Sequence, residues 1–299
     1  MIARKVIINA AREVGFDLVG VVRAEPMAAE RKRFEEWLLA GHNSTLEYLE
    51  RNVEKRFDAA LLQEGTLSIV VCAVSYLSTW SRGYDAACDR KIASYALAKD
   101  YHKTIKRMLA DLAERLRSVE PDIAFRAFTD SAPLAEKSLA VRAGLGWIGR
   151  NSLLVTPTHG SMLLLGELLI DAEVDEYDQP LEGVGCGSCR ACVERCPNSA
   201  ILDSRAIDTH RCISCRTIER EGQGEKLPLH GWIFGCDECQ TVCPFNAHAP
   251  LHTNPRFDAL FDPTAVDWEA MTEAEFSATM GDTVLTRSGL ERIKRNIGR

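Results

Sequence analysis

The stretch "CGSCRACVERCP", residues Cys186 to Pro197, contains four cysteines with the spacing Cys-x2-Cys-x2-Cys-x3-Cys-Pro. In bacterial two-cluster ferredoxins, this run gives three thiolates to one 4Fe-4S cluster and the fourth thiolate to a second cluster. A zinc knuckle needs only two cysteines at such spacing, so four cysteines followed by proline favour iron–sulfur clusters. The run therefore predicts a ferredoxin-like fold with two clusters in this part of the chain.

A second run, "CDECQTVCP", supplies three cysteines that match the last three positions of the first run. Ile233 stands where its first cysteine belongs, so one thiolate must come from elsewhere. The segment "HRCISCRTIE" offers Cys212 and Cys215. Because such sequences exchange one cysteine between clusters, the predicted ligands of the first cluster are Cys186, Cys189, Cys192 and Cys243. Those of the second cluster are Cys196, Cys236, Cys239 and either Cys212 or Cys215.

A competing arrangement combines one cluster with a zinc ribbon. The ribbon would use Cys212, Cys215, Cys236 and Cys239, which fit a C-x2-C-x20-C-x2-C pattern. It would leave Cys196 and Cys243 unused, although each of them precedes a proline as cluster ligands do. The region holds nine cysteines, and two clusters need about eight thiolates. We therefore favour two clusters, with one cysteine of "CISC" surplus.

The composition is that of an ordinary globular chain. Its 299 residues are 46% hydrophobic and 26% charged, which allows one large core and a smaller appendage. The sequence shows no cleavable leader and no apolar run of membrane-spanning length, so we expect a cytoplasmic protein that does not contact a membrane. In a cytosolic chain, clustered cysteines indicate metal binding rather than disulfides.

The net charge of −7 argues against a general affinity for nucleic acid. Two basic segments, "LERNVEKR" and the terminal "RSGLERIKRNIGR", remain candidates for local phosphate contacts. On charge alone, we favour the interpretation that each is a solvated helix face.

The chain ahead of the cysteines alternates helix-like and strand-like segments. "TLSIVVCAVSYL" and "SMLLLGELLI" have the length and composition of buried strands, and "YHKTIKRMLADLAERLR" places its apolar residues on one helical face. The connections show no regular βαβ period, so we predict an α+β fold with a mixed sheet in residues 1–180. The ferredoxin-like domain follows in residues 181–250, and a short helical segment occupies residues 251–299.

Several longer segments resemble one family in unbroken order, among them "EYLERNVEKRFD", "FTDSAPLAEKSLAVRAGLGWIGRNSLL" and "GWIFGCDECQTVCPFN". Simple ferredoxins share only the cysteine runs. By these segments the chain resembles the epoxyqueuosine reductases, in their short form without C-terminal helical repeats. The resemblance implies a nitroreductase-like, cobalamin-binding domain before the ferredoxin-like domain. The implied cofactors are cobalamin and two 4Fe-4S clusters.

The resemblance also implies an activity and partners. The activity is reduction of the epoxide of epoxyqueuosine, at the wobble position of tRNA, to queuosine by cob(I)alamin that receives electrons from the clusters. The partners are tRNA carrying epoxyqueuosine and an external electron donor of the flavodoxin or ferredoxin type, and we expect a monomer. The alternatives are a cobalamin-dependent reductase of small molecules, similar to the reductive dehalogenases, and a ferredoxin-type electron carrier.

Asp130 in "FTDSAP" matches the proton donor of the family. On the sequence alone, Asp130 or Ser131 is better explained as the N-cap of a helix that begins near Pro133. The resemblance reverses that preference. A general acid must keep a proton near neutral pH, so we expect burial to raise the pKa of Asp130.

The family pattern further suggests contacts to cobalamin. The candidate residues are Arg56, Asp130, Asn151, Ser214 and Asp237. The family commonly has a tyrosine at the place of Cys215, which identifies Cys215 as the surplus thiol. Cys212 then becomes the remaining ligand of the second cluster.

Overall fold

A computed structural model describes residues 1–219 and 226–299 of the chain. The helices of the first part are α1 (Arg4–Val14), α2 (Ala28–Leu39), α3 (Val53–Phe57), α4 (Tyr101–Arg117) and α5 (Glu136–Arg142). Its strands are β1 (Leu18–Arg23), β2 (Ser68–Ser75), β3 (Lys91–Ile92), β4 (Phe125–Phe128), β5 (Trp147–Ile148), β6 (Leu154–Val155) and β7 (Leu163–Ile170). Short 3-10 helices occupy Glu47–Glu50, Ala59–Leu61, Trp80–Arg82 and Ser94–Leu97.

The main sheet has the strand order β1-β2-β7-β4, and every neighbouring pair in it is antiparallel. Its register places Glu167 of β7 between Val71 of β2 and Phe128 of β4. The strands predicted from "TLSIVVCAVSYL" and "SMLLLGELLI" are the two central ones, which confirms both predictions. They are apolar almost throughout because both of their faces are buried.

Helices cover both faces of this sheet. On one face α1 and α4 pack against the strands through Ile7 and Leu109. On the other face the packing side chains include Leu139 of α5 and Phe57 of α3. Gly166 of β7 lets α4 approach closely, since an added Cβ would lie 2.5 Å from Cγ2 of Ile105. The sheet therefore forms a rigid layer at the centre of the N-terminal region.

The helix after β4 begins later than the sequence indicates. The pattern placed its start near Pro133, whereas α5 begins at Glu136, after an N-cap at Ala135 that makes no side-chain cap bond. Asp130 and Ser131 lie in the preceding loop. The helix-cap interpretation of these two residues is therefore wrong, which leaves the side chain of Asp130 available for another role.

The second part of the chain contains shorter elements. They are α6 (Ala191–Arg195), α7 (Ile213–Ile218), β8 (Trp232–Phe234), α8 (Glu238–Thr241), α9 (Pro244–His248), a 3-10 helix Pro255–Phe257, α10 (Glu273–Met280), a 3-10 helix Val284–Arg287 and α11 (Leu290–Asn296). The prediction of two or three short helices at the end of the chain is confirmed.

A parallel strand pair joins the two parts. Lys91 of β3 pairs with Trp232 of β8, and Ile92 pairs with Phe234. Ile92 and Phe234 also share an apolar cluster with Ile293 of α11. Parallel and antiparallel pairings thus both occur, but in separate sheets, because the cluster-bearing segment adds its strand to β3 rather than to the main sheet.

Candidate active site and cluster-binding region

A cleft of about 680 Å³ lies beside the loop that follows β4. Its wall is formed by the 3-10 helix Glu47–Glu50, α3, the start of α4, that loop and the C-terminal 3-10 helix. Its ionisable lining residues are Tyr48, Arg51, Arg56, Tyr95, Tyr101, His102, Asp130, Glu136, Glu219 and Arg287. The volume is in the range of sites that bind small organic molecules.

Asp130 lies in the loop after β4 with left-handed backbone geometry, at a φ of 46°. Its Oδ2 accepts a hydrogen bond from the hydroxyl of Tyr101 at 2.6 Å. Nε2 of His102 lies 3.7 Å from the same oxygen. The backbone N–H of Asp130 donates to Oε1 of Glu136 at 2.5 Å. Left-handed backbone is uncommon for residues other than glycine and often marks functional sites, and here three neighbours fix it.

The expectation of a raised pKa for Asp130 is wrong. Burial does raise its pKa, but the interactions with His102 and Tyr101 outweigh burial and lower it. The same interaction with Asp130 raises the pKa of His102, although burial opposes the effect. A proton in this group is therefore held more readily by His102 than by the Asp130 carboxylate alone.

Two glutamates behind Asp130 were missed by the sequence reasoning. Glu136 lines the cleft, whereas Glu167 is fully buried in β7. Burial and the charge of Asp130 raise the pKa of Glu136 to about 7. Burial, followed by the charge of Glu136, raises the pKa of Glu167 well above its usual range. The available signal was a lone carboxyl group within the apolar strand "LLLGELLI".

Of the predicted cobalamin contacts, Arg56 and Asp130 line the cleft. The guanidinium of Arg56 lies 5.4 Å from the ring centroid of Phe34, and its Nε is buried without a hydrogen-bond partner in the described part of the chain. Burial lowers the pKa of Arg56. A buried cation with an unsatisfied donor at the cleft wall fits a bound polar or anionic group.

The other predicted contacts lie outside this lining. Oδ2 of Asp237 accepts from the N–H and the hydroxyl of Ser94, at 2.7 Å and 2.9 Å. Nδ2 of Asn151 donates to the carbonyl oxygen of Cys239 at 3.4 Å. Ser214 lies in α7, immediately after the predicted ligand segment. Asp237 and Asn151 thus already connect the cluster-bearing segment to the rest of the chain.

The cysteines predicted for the first cluster lie close together. Burial raises the pKa of Cys192, and the nearby thiols of Cys186, Cys243 and Cys189 raise it further. Nε1 of Trp147 also donates to Sγ of Cys186 at 3.5 Å. The chain therefore brings the two distant cysteine runs to one place, and four thiols at one place fit a cubane.

The cysteines predicted for the second cluster form another group. Burial raises the pKa of Cys239, to which Cys212 and Cys196 contribute. Burial likewise raises the pKa of Cys236, with contributions from Cys239 and Cys212. The backbone N–H of Ala200 donates to Sγ of Cys196 at 3.2 Å. This second group of four thiols also fits a cubane, and both ligand sets stay predictions.

Cys215 lies at the margin of the second group. Burial raises its pKa to about 12, helped by the charges of Cys212 and Glu219, whereas a side-chain interaction with Thr209 lowers it. Its environment thus includes a hydroxyl and a carboxylate besides one thiol.

The basic segments are partly engaged in internal contacts. Arg51 and Arg287 both line the cleft. Arg287 also forms an ion pair with Glu219 at 2.5 Å, and Arg292 donates to the carbonyl oxygen of Ile218 at 3.1 Å. Cations therefore lie at the cleft, where a phosphate chain could be held.

Comparison with known families gives the context for this arrangement. Residues 56–131 match the family described as "Epoxyqueuosine reductase QueG, DUF1730", and residues 185–246 match a "4Fe-4S double cluster binding domain". The epoxyqueuosine reductase of Cyclobacterium marinum is 36% identical over 300 residues, which cover 98% of this chain and 95% of that protein. The chain belongs to the epoxyqueuosine reductase family.

Solved structures of this family have the same fold. A crystal structure of epoxyqueuosine reductase with an epoxyqueuosine-modified tRNA-Tyr stem loop matches with a TM-score of 0.86 at 29% identity, covering 98% of this chain and 79% of that chain. The Bacillus subtilis epoxyqueuosine reductase, with its catalytic aspartate loop swung out of the active site, matches with a TM-score of 0.85 at 27% identity over the same shares.

These matches confirm the predicted family, the fold class and the two-cluster domain. The double-cluster match spans both cysteine runs, so it favours two clusters over the zinc ribbon. None of the helices in the described part of the chain is long and apolar enough to cross a membrane.

Proposed function

We propose that this protein reduces the epoxide of epoxyqueuosine, at the wobble position of tRNA, to queuosine. The observation that carries the proposal is the group formed by Asp130, Tyr101 and His102 at the cleft of a member of the epoxyqueuosine reductase family. Removal of an epoxide oxygen requires proton donation to that oxygen, and a positioned side-chain acid supplies this function. The family match and the tRNA-bound relative favour tRNA over a small-molecule substrate.

The proton-transfer role of Asp130 takes a modified form. Because its pKa is lowered and that of His102 is raised, Asp130 stays ionised at neutral pH while His102 gains a proton more readily. Asp130 then lies between the protonated imidazole and the substrate oxygen. It can pass a proton to that oxygen as negative charge develops there, and Tyr101 fixes its orientation.

The cofactors of the family have corresponding residues here. Cobalamin, when bound, supplies the strongly reducing centre that attacks the epoxide. We assign Arg56, Asp130, Asn151, Ser214 and Asp237 to its surroundings, with Arg56 first because its Nε is buried and unsatisfied at the cleft. The first cluster takes Cys186, Cys189, Cys192 and Cys243. The second cluster takes Cys196, Cys212, Cys236 and Cys239.

The remaining parts of the proposal concern organisation and partners. Residues 1–180 form the cobalamin-binding domain, residues 181–250 the ferredoxin-like domain and residues 251–299 the C-terminal segment. Electrons come from a donor of the flavodoxin or ferredoxin type, and the protein acts as a monomer in the cytoplasm, where its tRNA substrate is found. Arg51 and Arg287 at the cleft support contact with the RNA backbone.

The test is turnover of epoxyqueuosine-containing tRNA by anaerobically purified holoenzyme, measured as queuosine by mass spectrometry of nucleosides. We expect Asp130→Asn to lower kcat by about a hundredfold or more, because general acids contribute about that much. Its corrinoid spectrum and iron content should equal those of the wild type.

The matched control is Asp122→Asn, since Asp122 is exposed and precedes the same strand. It should retain full turnover. Wild-type turnover of a haloaromatic substrate but not of tRNA would overturn the proposal, as would full activity of Asp130→Asn on the tRNA.

A further inference from the structure

The reduction needs one proton more than the group around Asp130 supplies. Conversion of an epoxide to an alkene and water breaks two C–O bonds, forms one C=C bond and consumes two electrons and two protons. The electrons come from the external donor through the clusters. In the proposed function, the Asp130–His102 pair supplies one proton. The inference below rests on that proposed function and concerns the source of the other proton.

Glu136 is in position to supply that proton. It lines the cleft, and its Oε1 accepts the backbone N–H of Asp130 at 2.5 Å. The left-handed backbone of Asp130 accompanies this contact. The two carboxyl-bearing residues therefore reach the same part of the cleft from opposite sides of one hydrogen bond.

Glu167 lies behind Glu136 and has no access to solvent. Its relative exposure is 0%, and its strand is flanked by Val71 and Phe128. Within the described residues, neither of its carboxyl oxygens has a hydrogen-bond partner of ordinary geometry. A carboxylate that is buried without donors is costly, whereas a protonated carboxyl is tolerated.

The charges that face this pair favour a single retained proton. Asp130 adds a negative charge beside Glu136, and Lys137 adds a positive one. Interaction between the two glutamates raises the pKa of Glu167 and lowers that of Glu136. This pattern corresponds to a proton that sits on Glu167 and is shared with Glu136. Such interacting carboxyls titrate as a pair.

We propose that Glu136 and Glu167 share one proton and that Glu136 delivers it to the departing oxygen as the second proton of the reduction. The first proton, from the Asp130–His102 pair, yields the hydroxyl, and the second releases water as the second C–O bond breaks. Glu136 then regains a proton from solvent through the cleft. Glu167 acts through Glu136 and is a positioning residue.

The first readout is independent of turnover. Infrared difference spectra between low and high pH should show the band of a protonated carboxyl that persists through neutral pH in the wild-type holoenzyme. Glu167→Gln should lose this band. Glu30→Gln should keep it, because Glu30 pairs with Arg142 at 3.1 Å and its pKa is lowered.

The second readout is the pH profile of kcat. In Glu167→Gln, Glu136 must hold its proton alone, so the decline on the alkaline side should begin at least about one pH unit lower than in the wild type. We expect kcat within about threefold of the wild type at pH 6 and at least about tenfold lower at pH 8. Glu136→Gln should lower kcat by about tenfold or more at every pH.

Two results would overturn the proposal: a Glu167→Gln profile that superposes on the wild type, or a wild-type spectrum in which no carboxyl band depends on Glu167. If Glu167→Gln does not fold, the band and profile of Glu136→Gln decide in its place. Wild-type enzyme that does not reduce epoxyqueuosine refutes the proposed function instead, and the infrared band then still tests the shared proton.

Discussion

The main sheet and the cysteine-bearing segment are stabilised in different ways. The sheet has central strands of eight residues, with apolar side chains buried on both faces. The cysteine-bearing helices α6 to α9 have only four to six residues. Between residues 186 and 211, all of them described, the buried apolar side chains are Ala200 and Ile201. The sheet can therefore be stabilised by burial, whereas the cysteine-bearing segment needs its metal.

The largest effect should follow from removing one ligand of the second cluster. Cys212→Ser should lower the iron content from about eight to about four atoms per chain, and its cysteine-bearing segment should become sensitive to limited proteolysis. Iron analysis and digestion of anaerobic protein measure both effects. The matched variant is Cys215→Ser, which should keep both clusters. If instead Cys215→Ser loses iron and Cys212→Ser does not, the ligand assignment is reversed.

A smaller effect is expected from a cavity in the sheet. Leu168→Ala removes a fully buried side chain of β7, which should lower the free energy of unfolding by about 2–5 kcal/mol. Urea denaturation followed by far-ultraviolet circular dichroism measures this change, and the iron content of the folded fraction should not change. Leu67→Ala is the control, because Leu67 is 47% exposed next to β2. Equal losses in both variants would contradict the described core.

These two variants also show which features the sequence could predict. A run such as "SIVVCAVS" can only be buried, so β2 and its neighbour β7 followed from composition. Cysteine spacing predicted the two clusters because thiolate geometry is local and specific. Both patterns lie within a few consecutive residues.

The features that the sequence did not predict depend on distant contacts. The start of α5 shifted because residues 130 to 135 pack as a loop along the cleft, which no local signal encodes. The pKa of Asp130 depends on Tyr101 and His102, about thirty residues earlier in the chain. The pairing of Glu136 with Glu167 requires the sheet to be formed first.

The smallest effect concerns a helix stabilised by local hydrogen bonds. Thr272 and Glu275 form a reciprocal capping box at the start of α10. Thr272→Ala should therefore lower the free energy of unfolding by about 1 kcal/mol. Ser277→Ala, on the exposed side of the same helix, should change it little. Urea denaturation of both variants measures the difference, and equal curves would show that the C-terminal segment unfolds independently of the sheet.

The pairing of β3 with β8 has a consequence for the rate of electron transfer. The two strands are joined by backbone bonds such as Lys91 N–H to the oxygen of Gly231, at 2.7 Å, and Ser94 anchors Asp237 just beyond them. Asp237 lies between Cys236 and Cys239, so this joint fixes the second thiol group relative to the N-terminal region. Electron tunnelling slows steeply as donor and acceptor separate. A joint that prevents such separation keeps the tunnelling distance constant from one turnover to the next.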